Sequence, residues 1–207
     1  ITIAWASSPE YQIKDLPNIG FTGDRWYRPM YVDNEWTEYE GSIMAIDPSG
    51  RGEDELGYAV VKQLHGNLFV LAAGGLRGGY DDVNLLRLAK IAKEHKVNKI
   101  IIEANFGDGM FTKIFTPVLA KIYPCTIEEV KHSVQKEKRI IDTLEPVMNS
   151  HRLIFDYNVV QNDLKLTQSD EEGAINYSLF FQMTRITRER GALKHDDRLD
   201  VLAIAVA

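Results

Sequence analysis

The chain has 207 residues, 44% hydrophobic and 26% charged, which suits one globular domain of generous size or a domain with an arm. One cysteine, Cys125, excludes an intrachain disulfide and a cysteine-rich zinc site and fits a reducing cytoplasm; no apolar run reaches membrane-spanning length, and no signal peptide is evident. A net charge of −6 argues mildly against a large nucleic-acid surface, although acids gathered at a metal site would leave room for one. The chain opens on Ile1 and stops within the apolar run 201–207, so it is expected to be a piece of something longer.

Residues 1–41 carry Trp5, Tyr11, Phe21, Trp26, Tyr27, Tyr31, Trp36 and Tyr39 among prolines, with little periodicity. They read as an arm or connector anchored by its aromatics. With Arg25 and Arg28, a stacking platform for single strands is the sharper alternative. Ser42–Asp47 follows, an apolar run that ends on a carboxylate and is broken by Pro48-Ser49-Gly50-Arg51-Gly52. It has no polar face, which predicts a strand buried on both sides. Leu56–Leu64 and Leu68–Ala73 flank His65-Gly66-Asn67 and predict a hairpin, hence a three-stranded meander that Gly74-Gly75 and Gly78-Gly79 end. Asp81 or Asp82 caps a helix running to about Lys96, with Leu85, Leu88, Ala89 and Ala92 at helical spacing. Val97–Glu103 is the next strand, and the intervening helix makes it parallel to the first. Met110–Tyr123 is helical, Thr126–Val130 a strand, Gln135–Asn149 a helix and Arg152–Phe155 a short strand. Asn158–Leu166 looks helical, Tyr177–Ile186 is open between helix and strand, and Asp196 begins the last helix. This order implies an α/β mixed sheet, with an antiparallel meander on one side, parallel strands on the other, and flanking helices.

Asp47 ends the first strand and Glu103 the fourth. As C-terminal ends of parallel neighbours they would lie together, where open α/β sheets place their sites. Each is followed by a glycine-rich loop, the second being Asn105-Phe106-Gly107-Asp108-Gly109. The third acidic element is His195-Asp196-Asp197-Arg198-Leu199-Asp200, where Asp197 and Asp200 share a helix face. Asp47 alone could be a turn residue, and an acidic helix start is favoured by the helix dipole. Asp196 suits an N-cap, but helix capping accounts poorly for three mutually repelling acids. Taken together, Asp47, Glu103, Asp197 and Asp200 offer oxygen donors to hard divalent ions such as Mg²⁺ and Mn²⁺. Two such ions about 4 Å apart would serve phosphodiester hydrolysis. His195 could ligate, assist proton transfer or cap the helix, with capping favoured.

Three pieces carry a family resemblance: Ile46-Asp47-Pro48-Ser49-Gly50, Ile101-Ile102-Glu103-Ala104-Asn105-Phe106-Gly107-Asp108-Gly109, and the 195–205 segment with its alanine-rich run. Over residues 42–207 the chain resembles the nuclease domain of the large terminase subunit of tailed phages, DNA maturase B type. That domain has the ribonuclease H-like fold shared with the RuvC resolvase. The resemblance implies metal ligands at Asp47, Glu103, Asp197 and Asp200, with Asp196 able to take the place of its neighbour. It also implies two Mg²⁺ or Mn²⁺ ions and an endonuclease cutting concatemeric double-stranded DNA with little sequence preference. Residues 1–41 would lead in from a separate ATPase domain. Implied partners are that domain, the small terminase subunit and the portal or procapsid, in the cytoplasm of an infected bacterium. Basic residues offer phosphate contacts: Lys131, His132, Lys136, Lys138 and Arg139 in one cluster, and Arg185, Arg188, Arg190 and Lys194 in another. Singly, each is better explained as part of a solvated face. Two rival readings stay open, an actin-like-fold phosphotransferase and a catalytically silent portal-docking domain.

Overall fold

The computed structural model describes residues 3–5, 9–14, 16, 26–33, 36–48, 55–104, 109–169 and 171–207. The two glycine-rich loops, except Pro48 and Gly109, lie outside the described residues, as do Phe21, Arg25 and Pro17. A short pair, β1 (Ile3–Ala4) and β2 (Tyr31–Val32), is antiparallel. The main sheet holds β3 (Gly41–Asp47), β4 (Leu56–Leu64), β5 (Asn67–Leu76), β6 (Lys99–Glu103), β7 (Thr126–Val130) and β8 (Leu153–Phe155). The helices are α1 (Asp82–His95), α2 (Met110–Ile122), α3 (Lys136–Asn149), α4 (Tyr157–Leu164), α5 (Leu179–Arg185) and α6 (Asp197–Val206).

The sheet order is β7-β6-β3-β4-β5-β8. β3, β4 and β5 form the antiparallel meander, while β6 lies parallel to β3, β7 parallel to β6, and β8 parallel to β5. The mixed sheet flanked by helices is therefore as the sequence implies. In the hairpin, Leu64 pairs with Asn67, which leaves a loop of His65 and Gly66, both at positive φ (49° and 79°). That is the geometry that matches the strand twist in a two-residue loop. The open segment before residue 186 resolves as helix α5, whose start is capped by Ser178 accepting from the Phe181 amide.

One expectation needs correction. Gly74 and Gly75 do not end the meander; β5 runs through them to Leu76. A Cβ on Gly74 would meet the Tyr58 hydroxyl at 2.8 Å, and one on Gly75 would collide with the Glu55 carboxylate. The glycines let cross-strand side chains lie flat over the strand.

Residue alternation divides the core. Met44, Ile46, Val60 and Leu76 face α1 and α2, where Leu88, Phe111, Phe115 and Leu119 pack against them. Ala45, Ala59, Val61 and Val70 face the other way, under Leu199, Val201, Leu202 and Ala203 of α6. Small side chains there let α6 settle close to the sheet, and nearly all of its residues are buried. The aromatic segment before β3 packs on the same body: Trp26 meets Phe180 edge-on, and Trp36 and Tyr39 meet Phe69.

Candidate metal centre

Strand register builds the first half of the site. Ile46 pairs with Ile102 in the parallel β3–β6 ladder, so the next residues, Asp47 and Glu103, stand side by side at the strand ends. α6 supplies the rest. Asp47 pairs with Gly57 across β3–β4, and a Cβ on Gly57 would sit 2.8 Å from the Asp197 carbonyl oxygen. The bare glycine thus lets the first turn of α6 rest on the sheet. One turn on, Asp200 reaches the strand ends. Asp47, Glu103 and Asp200 each offer a carboxylate oxygen, and these oxygens lie within 4.8 Å of one another. The three residues are 1%, 2% and 0% exposed.

Burial raises the Asp47 carboxyl well above the usual carboxylate range, and Glu103, Asp200 and Asp197 push it further; Lys136 acts against them. Asp200 is raised too, by burial and by Glu103, against Arg139 and Lys136. Such a cluster holds its charge only with cations nearby. Sequence analysis assigns no protein cation to these acids; in the structure, α3 and the turn before it supply three basic groups. Arg139 Nη2 donates to Asp200 Oδ1 at 2.6 Å and lies 3.9 Å from Glu103 Oε1. Lys136 Nζ stands 3.6 Å from Asp200 Oδ2 and bonds Asp196 at 3.2 Å. His132 Nδ1 is 3.2 Å from Glu103 Oε1. On Lys136, burial opposes the charge, yet Asp196, Asp200 and Asp47 outweigh it and raise its pKa. Even so, Glu103 Oε2 and Asp200 Oδ2 are buried and accept no hydrogen bond from the described residues. Buried hard oxygens of this kind fit a divalent cation.

The other acidic candidates are placed differently. Asp197 is buried beside the trio, and its Oδ2 accepts the Glu55 amide at 3.3 Å. Asp196 occupies the N-cap position of α6 without a capping side-chain bond; its carboxylate faces Lys136 instead. His195 is buried and stacks on the Tyr177 ring, centroids 4.2 Å apart.

Sequence reasoning missed an ionic lock next to the site. Arg198, inside the acidic motif, bonds both oxygens of Glu55 at 2.8 and 3.0 Å and reaches Asp163 at 3.3 Å. Asp163 also accepts from Ser178 Oγ and from the amides of Leu179 and Phe180. An Arg within an otherwise buried helix was the available signal, since such a cation needs carboxylates. The lock ties α6 to α4, α5 and the start of β4.

Of the basic candidates, Lys136 and Arg139 turn into the carboxylates, while Lys131, Lys138, Arg185, Arg188, Arg190 and Lys194 are placed toward the surface. Arg188 pairs with Asp142 at 2.8 Å, and Arg185 lies over the Phe181 ring. The two clusters adjoin: Gln135 donates to the Arg188 carbonyl, and the Gly191 amide donates to Glu137.

A family model described as "Terminase Bacteriophage T7, Ribonuclease H-like domain" matches residues 46–153. The chain belongs to this terminase family. The large terminase subunit of Enterobacteria phage T3 is 44% identical over 204 residues, 98% of this chain; the chain spans 35% of that relative's length. Among solved structures, the human cytomegalovirus terminase nuclease domain, Mn soaked and inhibitor bound, superposes with a TM-score of 0.57. It is 11% identical and covers 81% of this chain and 82% of its own. A mutant gp2c of the bacteriophage Sf6 large terminase subunit, with calcium, also gives 0.57, at 16% identity over 83% of this chain and 90% of its own. These structural likenesses show that the terminase-family chain has the ribonuclease H-like fold of terminase nuclease domains.

Proposed function

We propose that residues 42–207 form a metal-dependent endonuclease that hydrolyses double-stranded DNA with little sequence preference and cuts concatemeric phage DNA during packaging. The observation that carries this reading is the convergence of Asp47, Glu103 and Asp200, buried, with carboxylate oxygens within 4.8 Å of one another. Family membership supports it, as do the manganese and calcium present with its structural neighbours.

Asp47, Glu103 and Asp200 would hold the ions, with Asp197 an outer acid that adds negative charge. Bound Mg²⁺ or Mn²⁺, two ions in this reading, would supply Lewis acidity at the phosphate and a water of lowered pKa. His132 and Arg139 orient the carboxylates of Glu103 and Asp200. The exposed cations beside α3 would hold the DNA backbone, which positions the duplex without reading its bases. Residues 1–41 would connect to an ATPase domain, and the portal or procapsid and small subunit would be partners of the larger protein, in the host cytoplasm.

The test is nicking of supercoiled plasmid with Mn²⁺ or Mg²⁺, and with chelator. Wild type should cut only with metal. Asp47→Asn and Glu103→Gln should each abolish cutting while keeping a cooperative melt. Near-normal cutting by either variant overturns the site. No cutting by wild type with any divalent ion leaves the domain as a docking module.

A further inference from the structure

The oxygens of Glu103 and Asp200 are divided between two uses. Glu103 Oε1 and Asp200 Oδ1 face Arg139, whose Nη2 lies 3.9 and 2.6 Å from them. Glu103 Oε2 and Asp200 Oδ2 are buried and accept no hydrogen bond from the described residues. The acidic cluster therefore presents one side to the Arg139 guanidinium and another that accepts no hydrogen bond from a described donor, where Lys136 Nζ stands off at 3.6 Å from Asp200 Oδ2. The side chain of Arg139 is itself 13% exposed, and its Nε–H is buried without an acceptor among the described residues. A guanidinium buried for structural reasons alone would be expected to satisfy that N–H. Arg139 is instead committed at one end, to the acids.

We infer that Arg139 is a resident counter-cation that holds one of the two cation positions of the cluster, so that the resting domain takes up one divalent ion readily and a second only when the guanidinium withdraws. The inference rests on the metal-site reading above. Its physical basis is competition: a singly charged guanidinium and a divalent ion cannot share the same pair of oxygens without mutual repulsion. Lys136 is a weaker competitor, since its Nζ is 3.6 Å from Asp200 and its hydrogen bond goes to Asp196. The substitution that unmasks the second position is thus at Arg139.

Calorimetric titration of Mn²⁺ into wild type and Arg139→Gln, paired with thermal melts in chelator and in Mn²⁺, tests this. Wild type should show one strong event and one weak event. Arg139→Gln should tighten the weak event by about tenfold or more, the scale of one like charge removed from a partly screened site. The chelator melt of the variant should fall, and its Mn²⁺-induced rise should exceed that of wild type. Arg139→Lys, which keeps a charge but loses the fork, should be intermediate and covers the case in which the Gln variant fails to fold. Mn²⁺ binding by wild type that a folded Gln or Lys variant leaves unchanged or weakens overturns the inference alone. No Mn²⁺ binding by wild type or variants overturns the metal site and the inference together.

Discussion

At the scale of single residues, the three clustered carboxylates carry their charge on different terms. Asp47 is opposed by burial and by three neighbouring acids. Asp200 sits in a short ion pair with Arg139. The same substitution should therefore change stability in opposite directions. In chelator, Asp47→Asn removes an opposed charge and should raise the melting temperature by roughly 2–4 °C per kcal/mol relieved. Asp200→Asn strands a largely buried guanidinium and should cost about 3 kcal/mol, the low end for breaking a buried pair because Glu103 remains near. Paired melts in chelator check both signs; a fall for Asp47→Asn would mean that its carboxylate is structural. Asp47 and Glu103 were legible from sequence because each ends a strand, and Asp200 because it falls in the acidic first turn of a helix. The cations among them were not. Arg139 and Lys136 sit in a lysine-rich run whose simplest reading is a solvated face, and nothing local says that 61 residues on an acid will meet one of them.

At the scale of elements, the position of α6 is set by two devices, the bare Gly57 beneath its first turn and the Arg198 lock at its side. Gly57→Ala places a Cβ 2.8 Å from a backbone oxygen that cannot swing away. Overpacking of this kind costs about 1–3 kcal/mol. The variant should lose both melting temperature and Mn²⁺ affinity, because Asp200 rides on the same helix. Arg198→Ala leaves Glu55 and Asp163 buried without their cation and should cost about 3–5 kcal/mol. Urea unfolding curves measure both costs, and a loss below about 1 kcal/mol for Arg198→Ala would mean that the lock does not hold the helix. The strands and most helices were readable from periodicity. The glycines were misread where they mattered, because Gly74 and Gly75 look like a break until Tyr58 and Glu55 are seen lying over them. Whether residues 177–186 were helix or strand was undecidable locally; the Ser178 cap and the hold of Asp163 on two amides decide it.

At the scale of the whole molecule, an acidic domain of net charge −6 would have to bind a polyanion through a local rim. The structure joins the two basic segments that sequence could name only separately. Duplex binding should fall steeply with salt. Replacing Lys131, Lys138 and Arg190 by Ala should flatten the slope of log K against log salt by up to about 0.9 for each phosphate no longer neutralised. Fluorescence anisotropy of a labelled duplex across a salt series, in Ca²⁺, measures it; an unchanged slope would place the DNA elsewhere. The family was legible because its three acidic pieces lie far apart in sequence and each carries its own neighbours.

The buried α6 also sets an order of events. During synthesis the sheet emerges first, with Ala45, Ala59 and Val61 lacking the helix that covers them. Asp47 and Glu103 leave the ribosome well before Asp200, which trails Asp47 by roughly ten to thirty seconds at ordinary elongation rates. Until then the nascent chain has neither a closed core nor a complete set of acids. The proposed metal centre is thus completed only once the helix that covers this face of the sheet has been made. Half-made copies that lack Asp200 would lack one of the acids on which the proposed cutting depends.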